Sequence, residues 1–213
     1  MNTYKINESS TISWLGHASF KINTNGKVIY IDPYEIQEVE TADIVLITHP
    51  HYDHLSISDL QKILTPNTII LGTIDCTSKF AGKINSKYEI ISPGVKKIVN
   101  GFELEVVAAY NTDKRFHPKE NGWVGYIINI DGVKIYHAGD TDLIPEMEHY
   151  KTDIAILPIG GTYTMDYKEA AKAVEHLKPK IVIPMHYNKI VGSKESGVEF
   201  KKLVKNCEVL LLS

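Results

Sequence analysis

The chain has 213 residues, of which 43% are hydrophobic, and its formal net charge is −3 at pH 7. That length suits a single domain, residues 1–213, with its own buried core. The charge provides no basic surface for nucleic acid or anionic lipid, and no apolar run approaches the ~20 residues that span a bilayer. The amino terminus has no signal-peptide pattern, and the two cysteines, Cys76 and Cys207, lie far apart in sequence. We therefore expect a cytoplasmic protein with reduced thiols.

Short apolar runs alternate with turn residues along the chain, which predicts strands interleaved with helices. Residues 11–31 predict strands joined at the Asn25-Gly26 turn, and residues 43–49 predict a strand covered on both faces. A helix capped by Ser56 or Ser58 follows and ends at Leu64, before Pro66. Two further helices are predicted at residues 166–177 and 194–204. The other predicted strands are residues 68–71, 88–91, 96–99, 103–110, 123–130, 133–138, 153–160, 180–186 and 207–212.

One part of the sequence is echoed later in the chain. "NGKVIYIDPY" followed by "TADIVLITHPH" resembles "DGVKIYHAGD" followed by "KTDIAILPIGG", with Tyr30 matching Tyr136 and Asp43 matching Asp153. Chance similarity between two hairpins is the alternative explanation. A true repeat predicts an α/β fold of two mixed sheets that pack face to face with helices outside, an αββα sandwich. The functional site would then lie where the two halves meet.

Residues 48–56 read "THPHYDHLS" and concentrate metal-ligating side chains at the end of a predicted buried strand. Imidazole and carboxylate together suit zinc, and also manganese or iron. A helix-capping polar loop, the alternative, needs one Asp or Ser and no histidine cluster. The segment predicts two ligands for each of two metal ions, from the set His49, His51, Asp53 and His54.

The remaining ligands should also follow strands. Asp140 ends "IYHAGD", where its two oxygens could bridge both ions, and His186 ends "VIPMH". A third ligand for the first ion must come from "AAYNTDKRFHPKENGW", in which His117 is the only histidine.

This combination of motifs resembles the metallo-β-lactamase superfamily. "WLGHASF", "YIDPY", "GWVGY", "IYHAGDTDLIPEM", "PIGGTYTMD" and "IPMHYN" are similar to a subgroup of uncharacterised metal-dependent hydrolases related to ascorbate-6-phosphate lactonase. The resemblance implies the αββα fold and a first-metal role for His49, His51 and His117. It implies a second-metal role for Asp53, His54 and His186, with Asp140 bridging. In many relatives the third histidine follows its strand directly, where this chain has Tyr110-Asn111, so Asn111 or water is the alternative to His117.

The resemblance and the ligand set imply a hydrolase in which two divalent ions activate water. Zinc is the first expectation, and manganese and iron are alternatives. The expected substrate is a small ester, lactone or phosphate-containing metabolite, with an anionic group as one option. We expect Asp53 to act as both ligand and proton acceptor, with His17 as a second catalytic residue. Supporting or substrate roles are expected for Asp32, Arg115, Tyr163 and Asn188.

Three other functions remain open from the sequence. A metal-dependent nuclease or phosphodiesterase is disfavoured by the compact, acidic chain. A di-iron protein that transfers electrons to oxygen would replace some of these histidines with carboxylates. A metal-stabilised binding module without activity is the non-enzymatic alternative. The sequence predicts no membrane contact and leaves the oligomeric state open.

Overall fold

The computed structural model describes residues 2–37 and 39–213, which form two β-sheets and flanking helices. The first sheet contains β1 (Thr3–Asn7), β2 (Ser10–Gly16), β3 (Ser19–Thr24), β4 (Lys27–Ile31), β5 (Ile44–Leu46), β6 (Ile69–Gly72) and β7 (Lys87–Ile90). The second contains β8 (Lys96–Val99), β9 (Phe102–Ala108), β10 (Val124–Ile130), β11 (Val133–His137), β12 (Ile154–Pro158), β13 (Ile181–Met185) and β14 (Glu208–Val209). The α-helices are α1 (Ile57–Ile63), α2 (Thr77–Phe80), α3 (Tyr167–Leu177) and α4 (Lys194–Leu203). Short 3₁₀ turns cover Ile74–Cys76, Lys119–Asn121 and Pro145–His149.

The two sheets repeat one strand arrangement. In the first, β1 to β4 pair antiparallel and β4 to β7 pair parallel; in the second, β8 to β11 pair antiparallel and β11 to β14 pair parallel. The repeated aspartates occupy equivalent places. The Asp43 carboxylate accepts the Val28 N–H at 2.9 Å, and the Asp153 carboxylate accepts the Lys134 N–H at 3.0 Å. The two similar halves predicted from the sequence echo are therefore confirmed.

Alternating side chains in β4 and β5 show how the layers form. Ile29 and Ile31 belong to the core between the sheets, whereas Val28 and Tyr30 belong to a second core beneath α1. This period of two is the geometry of a strand buried on both faces. On the far side, α3 packs Ala170, among other residues, into the large core. The predicted αββα arrangement is confirmed.

The elements differ from prediction mainly at the edges of the sheets. Strand β1 was not predicted, although "TYKIN" alternates polar and apolar residues and Tyr4 and Ile6 pack against the core. The last strand is shorter than predicted and is limited to Glu208–Val209. Of the two predicted helix caps, Ser56 accepts the Asp59 N–H and is the N-cap of α1. Among the described residues, no helix combines the length and apolar character that a membrane span requires.

Candidate metal centre

The ligating side chains come from one edge of the sandwich, where strands of both sheets end. His49 follows β5, Asp140 follows β11 and His186 follows β13, while His17 lies in the turn between β2 and β3. Parallel strands present their carboxyl ends at a common edge, so residues distant in sequence meet there.

His17, Asp32 and His186 have φ values of 49°, 46° and 56°, a left-handed conformation that is uncommon for residues other than glycine.

The first cluster contains His49, His51 and His117, whose ligating nitrogens lie within 4.8 Å of one another. His49 Nε2 and His51 Nδ1 are 3.0 Å apart. His117 reaches them because its loop folds back on Asn111. The Asn111 N–H donates to the His117 carbonyl at 2.8 Å, and the His117 N–H donates to Asn111 Oδ1 at 2.9 Å. The structure thus places His117 in the cluster and Asn111 beside it as a support.

The second cluster contains His17, Asp53, His54 and His186, again within 4.8 Å. Asp53 Oδ2 lies 2.9 Å from His17 Nε2, which is close enough for a hydrogen bond. The same oxygen lies 3.6 Å from His186 Nε2 and 3.7 Å from His54 Nε2. Asp53 therefore sits at the centre of a group of imidazoles.

Asp140 connects the two clusters. Its Oδ2 lies 3.2 Å from His117 Nε2 and 3.1 Å from His186 Nε2, while Oδ1 lies 3.3 Å from His54 Nε2. It also forms a third group of ligating atoms with His49 and His54. One buried carboxylate therefore reaches side chains of both clusters, as expected of a bridging ligand.

Several buried polar atoms at this place lack hydrogen bonds. His54 Nε2, His117 Nε2, His186 Nε2 and Asp140 Oδ1 make none of acceptable angle with the described residues, despite the short distances among them. Buried polar atoms are normally satisfied, so such a concentration of unsatisfied donors and acceptors is unusual. Nitrogen and oxygen atoms of this kind are the ligands that zinc and similar divalent ions prefer. The residues present fit a metal centre.

Three of the imidazoles are oriented through the nitrogen that faces away from the clusters. His54 Nδ1 donates to Asp32 at 2.7 Å, and His49 Nδ1 donates to Thr48 Oγ1 at 2.9 Å. The Thr48 hydroxyl in turn donates to Asp32 at 2.6 Å. His117 Nδ1 lies 3.1 Å from the Tyr163 carbonyl, which accepts its proton. These bonds fix each tautomer and leave the other nitrogen free for a metal.

Burial and neighbouring charges separate the proton affinities of these groups. Burial lowers the pKa of His49 well below its ordinary value. Burial would also lower the pKa of His54, but the charges of Asp140 and Asp32 raise it well above its ordinary value. Burial opposes ionisation of Asp140, yet His186 and His54 hold the pKa of that carboxyl well below its usual range. An ionised, buried carboxylate among imidazoles is electrostatically prepared for a cation.

Trp123 is a part of the centre that sequence reasoning missed. Its ring centroid lies 4.9 Å from that of His49, 4.8 Å from that of His51 and 5.5 Å from that of His117. Its indole N–H donates to Asp75 at 2.5 Å. The motif "GWVGY" was recognised, but only the fold shows that the start of β10 lies against the first cluster.

A cavity of about 250 Å³ opens onto the clusters. Tyr163 lines it, together with Tyr52, Phe116 and Ile190. Arg115 and Asn188, for which substrate or supporting roles were expected, do not line it. The Arg115 side chain is exposed on its loop, and the chain at Asn188 turns toward solvent with φ of 64°.

The other histidines lie outside the clusters. His137 is buried, with Nε2 donating to the Ala18 carbonyl at 2.9 Å and Nδ1 accepting the Gly139 N–H at 3.2 Å. His149 and His176 are exposed.

Known proteins are similar to this chain in sequence. Residues 11–186 match the family described as Beta-lactamase superfamily domain. A UPF0173 metal-dependent hydrolase of Thermococcus onnurineus is 36% identical, over 94% of this chain and 95% of its own. A second protein of that name, from Caldivirga maquilingensis, is 34% identical over 92% and 89% of the two chains.

Solved structures of similar fold are also described as metal-dependent hydrolases. A metallohydrolase from Ignicoccus hospitalis has a TM-score of 0.79 and 26% identity, covering 96% of this chain and 95% of its own. A proposed metal-dependent hydrolase from Parabacteroides distasonis has a TM-score of 0.85 and 33% identity, covering 94% and 91%. The extent of these matches, together with the αββα fold and its histidine-rich edge, shows that the chain belongs to the metallo-β-lactamase superfamily.

Proposed function

We propose that this protein is a metal-dependent hydrolase that uses a dinuclear centre to cleave a small ester, lactone or phosphate-containing metabolite. The observation that carries the proposal is the set of buried, unsatisfied ligand atoms around Asp140. The names of the relatives, metal-dependent hydrolases, support the reaction class.

The proposed ligand sets follow the two clusters, except that His17 remains a hydrogen-bond partner of Asp53. His49, His51 and His117 would hold the first ion, and Asp53, His54 and His186 would hold the second. Asp140 would bridge the two, because its oxygens lie near imidazoles of both clusters. Zinc is the first choice for this mixture of nitrogen and oxygen donors, with manganese or iron as alternatives.

Divalent ions at this place would lower the pKa of water and polarise the bond to be cleaved. Among the chain's own groups, Asp53 would accept the proton of the attacking water and return it to the leaving group. His17 keeps Asp53 in position through the 2.9 Å contact between Nε2 and Oδ2. The cavity walls would hold the substrate against the clusters.

A substrate screen on separately reconstituted zinc and manganese protein tests the proposal. We expect turnover of at least one class among esters, lactones and phosphodiesters, and loss of that turnover in Asp140→Ala. Metal-loaded protein that cleaves none of them would overturn the proposal and favour a metal-stabilised binding module. Cleavage confined to single-stranded RNA or DNA would instead favour the nuclease alternative.

A further inference from the structure

Exposed apolar side chains gather at the mouth of the cavity. Tyr52, Phe116 and Ile190 are 65%, 45% and 37% exposed, and all three line it. They come from different loops, so their proximity is a property of the fold. Scattered exposed apolar residues are ordinary, but a group of them around a concave site indicates ligand binding.

We call the group formed by Tyr52, Phe116 and Ile190 the aromatic cleft. Neighbouring rings restrict its two aromatic side chains. Phe116 packs edge-on against Tyr163, with ring centroids 4.6 Å apart and planes at 87°. Tyr52 packs edge-on against Tyr34, with centroids 6.0 Å apart. Edge-to-face contacts of this kind are favourable and restrict the rings. The cleft is therefore formed before a ligand arrives.

Among the described residues, no lysine or arginine lines the cavity, and three nearby lysines are paired with carboxylates. Lys114 donates to buried Asp142 at 2.5 Å, and Lys119 donates to Glu146 at 3.0 Å. Lys189 is paired with Glu35. None of these lysines lines the cavity, whose ionisable groups are the proposed metal ligands and the tyrosines. A charged substituent away from the cleaved bond would find no counter-charge there, and burying it would be costly.

From this arrangement we infer that the substrate is an uncharged ester or lactone with a small aryl or branched alkyl group, which the aromatic cleft binds. The inference rests on the proposed hydrolase function and narrows its substrate class. A cavity of about 250 Å³ limits that group to roughly one ring, because typical ligand pockets begin at about 300 Å³. Phe116 and Ile190 would determine specificity through contact with it.

A matched pair of esters tests the inference by kinetics. We expect zinc- or manganese-loaded protein to cleave benzyl acetate with a kcat/KM at least about 10-fold above that for the same ester carrying a ring phosphate. Phe116→Ala and Ile190→Ala should each raise the KM for benzyl acetate by about 10-fold with little change in kcat, since lost apolar contacts weaken binding. Ile98→Ala, at a side chain 71% exposed on β8, is the control and should change neither constant.

A binding measurement separates this inference from the proposed reaction. Benzyl alcohol is not hydrolysed, so its binding to the metal-loaded protein can be followed by saturation-transfer NMR. We expect a signal that Phe116→Ala removes and Ile98→Ala retains. Binding of this kind without cleavage of any ester, lactone or phosphodiester would overturn the proposed hydrolase function and leave the cleft intact. Preference for the phosphorylated ester, or unchanged KM in both cleft variants, would overturn the substrate class while hydrolysis stands.

Discussion

At the residue scale, the centre depends on side chains that never need to touch a metal. Asp32 accepts hydrogen bonds from both His54 and Thr48, and Thr48 accepts one from His49. Asn111 Oδ1 and the Tyr163 carbonyl accept hydrogen bonds from His117. These partners set which imidazole nitrogen is free, so they should influence metal affinity almost as strongly as the ligands.

Two substitutions distinguish a ligand from its support. His117→Ala should remove about one equivalent of bound metal, since a three-residue cluster would lose one of its nitrogens. Asn111→Ala should retain the stoichiometry and weaken affinity by about 10- to 100-fold, because the loop loses its bonds to His117. Elemental analysis and calorimetric titration measure the two effects. Full stoichiometry in His117→Ala combined with loss of metal in Asn111→Ala would reverse the assignment.

The protonation of His54 predicts a pH dependence of metal binding. Burial is outweighed by Asp140 and Asp32, which raise the pKa of His54 well above its ordinary value in the metal-free protein. Because a coordinating imidazole nitrogen must be unprotonated, binding should release protons and apparent affinity should rise with pH. Calorimetry in buffers of different ionisation enthalpy measures the released protons. Binding without proton release near pH 7 would contradict the combination of a raised His54 pKa and coordination by His54.

At the element scale, the buried strands were easier to predict from the sequence than the exposed ones. The strand after Asp43 and the Asp131-Gly132 hairpin were predictable because doubly covered strands read as continuous apolar runs between turn residues. Strand β1 was missed although "TYKIN" alternates, because the run has only five residues and lies partly exposed at the edge of the sheet. The role of Trp123 had no local signal in the sequence. Its ring partners His49 and His51 are 70 residues or more away along the chain.

The end of the ligand loop gives a stability prediction for α1. Ser56 Oγ accepts the Asp59 N–H at 3.3 Å and donates to the Asp59 carboxylate at 2.6 Å. Ser56→Ala should lower the free energy of unfolding by about 1 kcal/mol, the usual cost of a lost N-cap. Ser58→Ala, at an exposed position in the same helix, should change it by less than about 0.5 kcal/mol. Equal effects in urea unfolding would contradict the capping assignment.

At the scale of the whole molecule, the centre joins the two halves of the sandwich. The first half supplies the ligands in "THPHYDHLS", and the second half supplies His117, Asp140 and His186. The sequence could place His49, Asp140 and His186 after strands. It could not show that Asn111 folds the His117 loop inward or that Arg115 does not line the cavity, because both depend on how the loops pack.

Metal removal should therefore loosen the whole fold. A ligand that binds only the native state at 100 times its Kd stabilises that state by about 2.7 kcal/mol. For a chain of this length, that free energy corresponds to a fall in Tm of about 5–10 °C when a chelator is added. Scanning calorimetry measures the fall, and Asp140→Ala should show a smaller one. An unchanged Tm of the wild type on addition of the chelator would argue against metal binding where the two halves meet.

In the proposed dinuclear centre, Asp140 joins two metal ions held by the two clusters. Anomalous diffraction from crystals of the zinc-loaded protein tests it most directly. We predict two peaks about 3.5–4 Å apart, a separation typical of dinuclear hydrolytic centres, with Asp140 between them. One ion should lie among His49, His51 and His117, and the other among Asp53, His54 and His186. A single peak, or peaks away from Asp140, would contradict the account.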